Sequence, residues 1–368
     1  MQIKSLTLKN FRNHKNLNLE FREDFVVFFG PNATGKTNLL ESLYFLSIFK
    51  SFRDASNYLF SKGTFNLELH AVIEKGGRDH LLEIFLENRS GKIFANFKLD
   101  GVRKARKLVQ NFLRAVIFDP TDVDLMNKPS DQRRRYLNMI LSQNSPKYME
   151  DLYNYKKVIT QKNQLLYNIK SGRSSIGELA TWNEQQAYFG SEIIATRKEY
   201  VNYLNQSISE IYAAVSGFSR PIEVEYKTVN GDSKHSIAAN FKKDLFENQE
   251  REIATATSVI GPHRDDFTLI SDGIYLTPFS SRGELRSQVL ALKILELEYL
   301  TRENDRPILL LDDVLSELDE DRRVYLLKYL KGKYQTFITS TVPVEMQAQH
   351  VALREGWVTP ASENTAAN

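Results

Sequence analysis

A short glycine-rich segment constrains this chain more than any other part of its sequence. Residues 30–37 read Gly-Pro-Asn-Ala-Thr-Gly-Lys-Thr and fit the pattern G-x-x-x-x-G-K-[ST]. The residues before it, Phe25 to Phe29, form a continuous apolar run typical of a buried parallel strand. The residues after it, from Asn38 to Leu46, predict a helix. Strand, loop and helix in this order direct backbone N–H groups and a helix N-terminus at one anion, which a chance glycine loop would not do.

The residues of this loop have distinct chemical roles. Gly30 and Gly35 permit backbone conformations and close approaches that a side chain would block. Lys36 can reach the β- and γ-phosphates of a nucleotide and is a candidate catalytic residue, and the Thr37 hydroxyl can ligate Mg²⁺. The predicted nucleotide-binding residues of this segment are Gly30, Pro31, Asn32, Ala33, Thr34, Gly35, Lys36, Thr37 and Asn38.

Composition excludes several classes of protein. The chain has 368 residues, of which 42% are hydrophobic, which is enough for a substantial core. It has no apolar run of about 18 residues, and residues 1–6 lack the apolar centre of a signal peptide, so we expect no membrane span. The absence of cysteine excludes disulfides and thiolate metal sites and fits a cytoplasmic protein. A net charge of +3 is too small to indicate nucleic-acid binding by itself.

The first thirty residues predict strands joined by a turn that contains an arginine. Leu17, Leu19 and Phe21 alternate with polar residues, which is the pattern of a half-buried strand. Between the first two strands, residues 10–14 read Asn-Phe-Arg-Asn-His. Arg12 is therefore either a contact to a nucleotide on the nearby loop or part of an ordinary surface turn, and the spacing leaves both readings open.

Residues 64–100 predict an antiparallel meander, because apolar and polar residues alternate along three segments. Such sheets commonly keep one face in water. A basic segment follows and contains Arg103, Lys104, Arg106 and Lys107. It can bind a DNA backbone, or it can be a solvated helix face, which is the commoner role of a charge run.

The sequence becomes helical between about residues 129 and 217. Arg133, Arg134 and Arg135 lie near its start and are candidates either for DNA contact or for ion pairs inside the protein. Apolar residues recur at steps of three and four in its last part, at Val201, Leu204, Ile208, Ile211 and Val215. A seam of this length, about two heptads, predicts a small helical lobe and not an independent rod.

A second phosphate-binding element is predicted at residues 280–284, Ser-Ser-Arg-Gly-Glu, which begin a long apolar helix. A serine and a glycine at a helix start leave N–H groups and the positive helix end open to an anion. Ser281 and Gly283 are therefore candidate ligands, although such a serine is often a plain N-cap. The charged segment Gly-Pro-His-Arg-Asp-Asp at 261–266 would usually be solvent-exposed, and we interpret it as functional because of the elements that follow it.

A third element is the apolar run Ile308 to Leu311, which predicts a buried strand ending in two carboxylates. Ligands of open α/β sheets bind at the carboxyl ends of strands. Asp312 can hold Mg²⁺ there, and Asp313 can act as the general base on an attacking water. Ser316 is expected to cap the next helix, with Asp319 three residues on.

In this order, the phosphate loop, the serine–glycine helix, the acidic strand end and the Ser-Glu-Leu-Asp turn resemble an ABC-type ATPase. The arginine-containing turn resembles the branch that works on DNA with the SMC proteins, and the whole set is most similar to the RecF family. The residues that carry the resemblance are Asn10–Asn13, Gly35–Glu41, Arg133–Leu137, Gly261–Asp266, Ser281–Glu284 and Leu311–Asp319.

The resemblance implies an α/β fold, the ABC-type head of a P-loop NTPase, with a mixed sheet, an antiparallel meander and a helical lobe. The first lobe would comprise residues 1–128 and 260–368, and the helical lobe residues 129–259. Two subunits would enclose two ATP molecules. Lys36, Thr37 and Asp312 of one subunit would hold ATP–Mg²⁺, and Ser281 and Gly283 of the other would cap the γ-phosphate.

The resemblance also implies a DNA-repair protein that binds gapped or junction DNA, acts with RecR and RecO and promotes RecA loading. Glu284 and Leu285 stand where the family usually has two glutamines, and Glu284 would repel a γ-phosphate unless it points away or pairs with Arg282 or Arg286. Asp313 is one methylene shorter than the usual glutamate of ABC transporters, so we expect slow hydrolysis.

Two alternatives remain open. One is the ATPase subunit of a transporter, against which the wide separation of the serine–glycine helix from the loop argues. The other is a nucleotide-binding scaffold without turnover.

Overall fold

The computed structural model describes residues 1–53, 59–276, 279–302, 305–354 and 357–360. Two compact units are present. The first contains residues 1–123 and the described residues from Glu296 onward, and the second contains Asp124–Leu295. The second unit is thus an insertion in the chain of the first.

The described residues form fifteen strands and nine α-helices. The strands are β1 (Gln2–Phe11), β2 (His14–Glu20), β3 (Phe25–Phe29), β4 (Asn66–Lys75), β5 (Arg78–Arg89), β6 (Lys92–Leu99), β7 (Val102–Lys104), β8 (Ala115–Phe118), β9 (Glu223–Lys227), β10 (Asp266–Ser271), β11 (Ile274–Tyr275), β12 (Ile308–Leu311), β13 (Thr336–Ser340), β14 (Gln349–Arg354) and β15 (Trp357–Pro360). The helices are α1 (Lys36–Ile48), α2 (Arg106–Val109), α3 (Ser130–Asn144), α4 (Pro146–Lys170), α5 (Leu179–Ser216), α6 (Lys234–Glu247), α7 (Gln249–Thr255), α8 (Arg282–Leu300) and α9 (Glu320–Leu330).

A mainly parallel sheet holds the predicted nucleotide loop. Its strand order is β15-β14-β3-β13-β12-β8, and only β15 runs antiparallel to its neighbour. The residues of β8 and β12 are all buried, as expected of parallel strands covered on both faces. Because β3 and β12 are both parallel to β13, their carboxyl ends meet at one edge of the sheet. This arrangement brings the loop after β3 close to the two carboxylates after β12.

The antiparallel meander predicted from the alternation is confirmed. Its strands lie in the order β2-β1-β4-β5-β6-β7. One set of alternate side chains forms the buried face, including Leu6, Leu69 and Ile84, which are fully buried. The opposite set faces outward and is largely polar.

The second unit combines helices with a small sheet of order β11-β10-β9. The long helices α4 and α5 pack against each other, and α6 packs on α5. Of the predicted seam on α5, Val201, Leu204, Ile208 and Val215 are buried. The helical character predicted for this part of the chain is therefore confirmed.

The boundaries between the two compact units differ from the boundaries expected for the lobes. The first boundary lies at 123/124 and not at 128/129, which is a small difference. The second lies at 295/296 and not at 259/260. Strand pairing explains why residues after 259 belong to the second unit: β10 pairs with β9, with Asp266 opposite Lys227. The boundary itself falls within α8, which spans Arg282–Leu300.

Ser316 does not cap the next helix, so that expectation is wrong. The chain forms a short 3₁₀ turn at Val314–Ser316, in which the Ser316 hydroxyl donates to the carbonyl of Asp313. Asp319 is the N-cap of α9, where its carboxylate accepts a hydrogen bond from the backbone of Arg322. Among the helices of the described ranges, none is long and apolar enough to cross a membrane.

Candidate nucleotide-binding site

The loop between β3 and α1 has the backbone that its glycines predict. Gly30 has a φ of +148°, and a Cβ there would lie 2.2 Å from the carbonyl oxygen of Leu353. Gly35 has a φ of +100° and lies directly before α1. Pro31, Asn32 and Ala33 are exposed. The loop therefore presents its backbone to solvent directly before a helix N-terminus, which is the arrangement that binds phosphate.

The lysine of this loop is buried against its own backbone. Lys36 Nζ donates hydrogen bonds to the carbonyl oxygens of Gly30, at 2.8 Å, and Pro31, at 2.9 Å. The Thr34 hydroxyl also donates to the Pro31 carbonyl, at 2.9 Å. These contacts hold the ammonium group inside the curve of the loop, where a nucleotide phosphate would meet it.

Two hydroxyls converge on the first carboxylate after β12. Thr37 donates to Asp312 Oδ1 at 2.9 Å, and Thr339 donates to the same oxygen at 2.8 Å. Burial raises the pKa of Asp312, with Asp313 adding to the effect and the two hydroxyls opposing it. The predicted metal ligands Thr37 and Asp312 are thus in direct contact.

These oxygens fit Mg²⁺. A hydroxyl and a carboxylate are hard oxygen donors, and Mg²⁺ is usually held by one or two carboxylates together with substrate phosphates. No group of three or more His, Asp or Glu side chains with metal-site geometry occurs in the part of the chain that the structure describes. A donor set of one hydroxyl and one carboxylate suits a metal that is also held by a nucleotide.

Asp313 occupies a strained backbone position beside this pair. Its φ is +52°, a left-handed conformation that a residue with a side chain adopts at a cost. Its backbone N–H donates to the Thr339 hydroxyl at 2.8 Å, so one threonine fixes both the Asp312 carboxylate and the backbone of Asp313. Sequence reasoning missed Thr339, because a threonine within a buried strand carries no motif.

The turn after β1 packs on the phosphate loop and its helix. Arg12 pairs with Glu41 of α1, and its side chain is only 10% exposed, so the turn is not an ordinary surface turn. Asn13 donates to the Thr34 carbonyl at 3.1 Å, and His14 Nε2 lies 3.1 Å from the Gly35 carbonyl oxygen. In the sequence, the turn at residues 10–14 lies shortly before the phosphate loop. This position indicated a role for Arg12 but not for Asn13 or His14.

Neighbouring side chains extend this contact. The Asn38 amide donates to Asn13 Oδ1 at 2.8 Å, and Arg53 donates to Asn38 Oδ1 at 3.0 Å. Burial lowers the pKa of His14, which keeps its imidazole neutral near pH 7. The loop is thereby held by hydrogen bonds from two residues that no phosphate motif includes.

The predicted serine–glycine element begins α8 and forms a capping box. Ser281 Oγ accepts from the backbone N–H of Glu284 at 3.3 Å, and Glu284 Oε2 accepts from the backbone N–H of Ser281 at 2.7 Å. Glu284 also lies 3.6 Å from Arg220, and the hydrogen bonds from Ser281 lower its pKa. Gly283 lies in the first turn of the helix. Glu284 therefore binds its own helix start and Arg220.

The Gly-Pro-His-Arg-Asp-Asp segment is not the exposed loop that charge alone suggests. Asp265 is 7% exposed and accepts hydrogen bonds from the hydroxyls of Tyr226 and Thr228, with the buried Arg197 3.9 Å away. His263 bonds to the Tyr155 hydroxyl, and burial lowers its pKa to about 4. Asp265 is thus part of a buried polar cluster in the second unit, whereas Arg264 of the same segment is exposed.

The candidate DNA-contacting residues divide into two groups. Arg106 donates to the carbonyls at the end of α1, and Arg133 pairs with Asp266. Arg134 donates to the Asp265 carbonyl at 2.8 Å and is partly buried. Arg103, Lys104, Lys107 and Arg135 are exposed, as is Arg106 apart from its contact with α1.

Comparison with known proteins places this chain among its relatives. A family model described as "RecF/RecN/SMC N terminal domain" matches residues 2–355. The "DNA replication and repair protein RecF" of Natranaerobius thermophilus is 37% identical over 93% of this chain and 91% of its own length. The protein of the same name from Lachnoclostridium phytofermentans is 34% identical over 93% of each chain.

Solved structures give the same result. The recombination mediator protein RecF of the RecFOR pathway, solved as RecF-ATP, has a TM-score of 0.90 and 30% identity, covering 98% of this chain and 97% of that one. An Smc head bound to the winged-helix domain of ScpA has a TM-score of 0.54 at 16% identity, covering 97% of this chain and 96% of that one, and shows a shared fold alone. The predicted ABC-type head is thus confirmed, and the relatives do not support the transporter alternative. The chain belongs to the RecF family.

Proposed function

We propose that this chain is an ATP-dependent DNA-binding protein of recombinational repair and replication restart. It closes as a homodimer on gapped or junction DNA in the cytoplasm and promotes RecA loading together with RecR and RecO. The observation that carries the nucleotide part is the contact of Thr37 with Asp312 at 2.9 Å, beside a glycine loop whose lysine is already buried in place. Relatives named as DNA replication and repair proteins support the DNA part.

Different residues of the first unit would bind different parts of ATP–Mg²⁺. The loop from Gly30 to Thr37 holds the phosphates through its backbone, and the Lys36 ammonium group exchanges its carbonyl partners for phosphate oxygens. Thr37 and Asp312 hold Mg²⁺, which offsets the negative charge of the phosphates when it is bound. Arg12 lies beside this helix and either contacts the nucleotide or fixes Glu41.

The helix start at Ser281 and Gly283 completes the site from a second copy of the chain. A helix N-terminus far along the sequence from the loop binds a γ-phosphate by approaching from another surface. The Ser281 hydroxyl can donate to an incoming oxygen while it still accepts from the backbone of Glu284. ATP would therefore link two subunits, and loss of the γ-phosphate would release them.

Hydrolysis is slow in this proposal. Asp313 accepts a proton from the water that attacks the γ-phosphorus, and the bond to the leaving ADP breaks. Its carboxylate is on a short side chain, so it reaches the water less well than a glutamate would. Phosphate release no faster than that of Lys36→Ala would instead support a scaffold without turnover.

The experiment is light scattering after size exclusion, with Asp313→Asn to block turnover. The mass should double with ATP–Mg²⁺ and stay unchanged with ADP–Mg²⁺ or without nucleotide. Ser281→Arg should prevent the doubling while ATP still binds, and Lys36→Ala should prevent binding itself. A monomer in every condition, despite ATP binding, would contradict the dimer.

The DNA part is tested separately by filter binding to duplex and gapped DNA. ATP should raise the affinity, and neutralising Lys104, Lys107 or Arg135 should flatten its salt dependence by about one unit of slope per lost phosphate contact. An affinity that ATP does not change would contradict this part of the proposal.

A further inference from the structure

The outward face of the antiparallel sheet carries aromatic side chains at matched positions. Phe85 of β5 lies opposite Asn96 of β6, and Phe94 of β6 lies opposite Glu87 of β5. Side chains of paired residues point to the same face of a sheet. Lys98 and Arg103 are likewise paired between β6 and β7. Two phenylalanines, an amide and two cations therefore share one surface.

A groove of about 600 Å³ lies on this face. It is lined by both phenylalanines, by Asn96 and by Arg103. Phe94 is 44% exposed, whereas the phenylalanines of the opposite sheet face and of the core, such as Phe97, are buried. An exposed ring in a groove is a surface on which a flat apolar group can stack.

Cations lie over both rings. Lys98 Nζ is 5.1 Å from the centroid of the Phe85 ring. The Arg89 guanidinium is 5.1 Å and Lys92 Nζ is 5.6 Å from the centroid of the Phe94 ring. Long cationic side chains at this place can swing from a ring to a neighbouring phosphate when another group takes the ring face.

The charges on this face favour an anion. Two of its acids have partners: Glu87 is 2.7 Å from Arg89, and Glu68 is 2.9 Å from Lys9. The third, Glu83, lies opposite Lys98 and forms no ion pair within the described ranges, so the cations of this face outnumber its acids. Within the described ranges, no carboxylate lies within ion-pair distance of its other three cations, Lys92, Lys98 and Arg103. Three positive charges are therefore available to a ligand.

The floor of the groove also offers a specific polar contact. Asn96 Oδ1 is buried and accepts no hydrogen bond from any described residue. A buried acceptor without a donor costs free energy, and rotation of the Asn96 amide toward the groove would let a ligand N–H group recover it. Nucleobases carry such groups on their edges.

We propose that this sheet face binds single-stranded DNA, with bases stacked on Phe85 and Phe94 and phosphates held by Lys92, Lys98 and Arg103. This rests on the proposed function and assigns the unpaired strand of a gap to this surface. A duplex does not expose the faces of its bases, whereas aromatic rings with adjacent cations are the common platform for single strands. The duplex part of the DNA would then lie on other cationic residues.

The test measures the affinity of the full chain for a fluorescein-labelled oligo-dT and for a blunt duplex, by anisotropy with ATP–Mg²⁺. Phe85→Leu with Phe94→Leu keeps apolar volume but removes both rings. It should weaken oligo-dT binding by about tenfold or more and leave duplex and ATP binding within about twofold. The matched control is Phe218→Leu, which removes an aromatic ring 73% exposed elsewhere and should change neither affinity.

A second variant tests stacking directly. Phe94→Trp keeps a ring at the site, and its fluorescence should be quenched when oligo-dT binds. Lys98→Gln should lower the salt slope of oligo-dT binding by about 0.7. Quenching without loss of affinity in this variant would support the platform even if the double leucine variant does not fold.

The remaining outcomes separate this proposal from the proposed function. ATP-dependent duplex binding with no oligo-dT binding would overturn the sheet-face proposal alone. Oligo-dT affinity unchanged in a folded double variant would also overturn it. Absence of binding to any DNA would overturn both.

Discussion

Thr339 connects the two neighbouring carboxylates of the nucleotide site. Its hydroxyl donates to Asp312 and accepts from the backbone of Asp313, and the residue is 1% exposed. A hydrogen bond to a charged group is worth about 1.5–3 kcal/mol. The hydroxyl thus helps hold Asp313 at its positive φ, from which its carboxylate would face the attacking water.

Thr339→Val is expected to slow ATP hydrolysis by about tenfold or more while ATP affinity changes little. Valine fills the same space but removes the hydrogen bonds to the Asp313 backbone and to the Asp312 carboxylate. The general base then loses its position, while Asp312 keeps its bond from Thr37 and the phosphate loop is intact. Single-turnover phosphate release and nucleotide titration measure the two quantities.

The matched control for that variant is Thr336→Val. Thr336 is a buried threonine on the same strand, and its hydroxyl bonds to the Tyr334 carbonyl, away from the carboxylates. An equal loss of hydrolysis in both variants would mean that the effect comes from the strand and not from the hydroxyl.

His263 makes the stability of the second unit depend on pH. Its pKa in the folded protein is about 4, below the ordinary 6.5, because it is buried. The unfolded chain takes up this proton below pH 6.5, but the folded chain does not until about pH 4. The unfolding free energy should therefore fall as the pH drops from 6.5 to 4, by up to roughly 3 kcal/mol.

Denaturant titration over this pH range measures that slope. His263→Gln should be less stable at neutral pH, because it loses the bond to Tyr155, but its stability should depend less on pH. His235→Gln serves as the control, because His235 is exposed and should leave the slope unchanged. The same slope in the His263 variant would assign the proton to another group.

At the scale of elements, Arg106 completes the C-terminus of α1. Its guanidinium donates to the carbonyls of Ile48, at 3.5 Å, and Phe49, at 3.1 Å, and lies over the Phe49 ring. Cations stabilise a helix C-terminus, where carbonyls are left without helical partners. The sequence suggested DNA contact for this residue, but the structure gives it a local partner.

Arg106→Gln is expected to lower the unfolding free energy by roughly 1–2 kcal/mol and to leave the salt dependence of DNA binding unchanged. Lys107→Gln, at the exposed neighbouring position, should leave the unfolding free energy unchanged and flatten the salt dependence of DNA binding. Denaturation and salt titration of DNA affinity distinguish the two. A flatter salt slope in the Arg106 variant would mean that Arg106 contacts DNA.

The start of α8 determines what Glu284 contacts. The sequence alone predicts that this carboxylate repels a γ-phosphate. In the structure it caps its own helix and faces Arg220, a residue some sixty positions earlier that no local pattern could connect with it. Its negative charge is therefore partly offset before any nucleotide approaches.

The elements that the sequence predicted best are those with strong local signals. The apolar strands before the loop and before Asp312, the meander and the long helices follow from periodicity and composition alone. Thr339, Asn13 and His14 could not be predicted, because their roles depend on which strands become neighbours. The Gly261–Asp266 segment was expected to be functional, but its contacts with Tyr226 and Arg197 could not be predicted, because these partners come from distant elements.

At the scale of the whole molecule, the nucleotide site and the buried centre around Asp265 belong to different compact units. The sequence indicated a helical insertion but not that β10 would join it, because sheet pairing between distant segments has no local signal. Ligand binding should therefore stabilise one unit more than the other.

ADP–Mg²⁺ at one hundred times its Kd is expected to stabilise the first unit by about 2.7 kcal/mol. Hydrogen exchange should slow by about a hundredfold in β3, β12 and β13, while exchange in α4 and α5 stays the same. Lys36→Ala should abolish the difference. Equal slowing in both units would mean that they unfold together.

During synthesis on the ribosome, the parallel sheet is completed last. β3, which leads into the phosphate loop, lies between β13 and β14, whose residues 336–354 are made after the entire second unit. The loop, its lysine and the exposed cations emerge early, but the strands that fix the loop do not yet exist. A nascent or prematurely terminated chain therefore lacks a finished nucleotide site, so the ATP-controlled closure on DNA that we propose would be restricted to molecules whose translation has passed these strands.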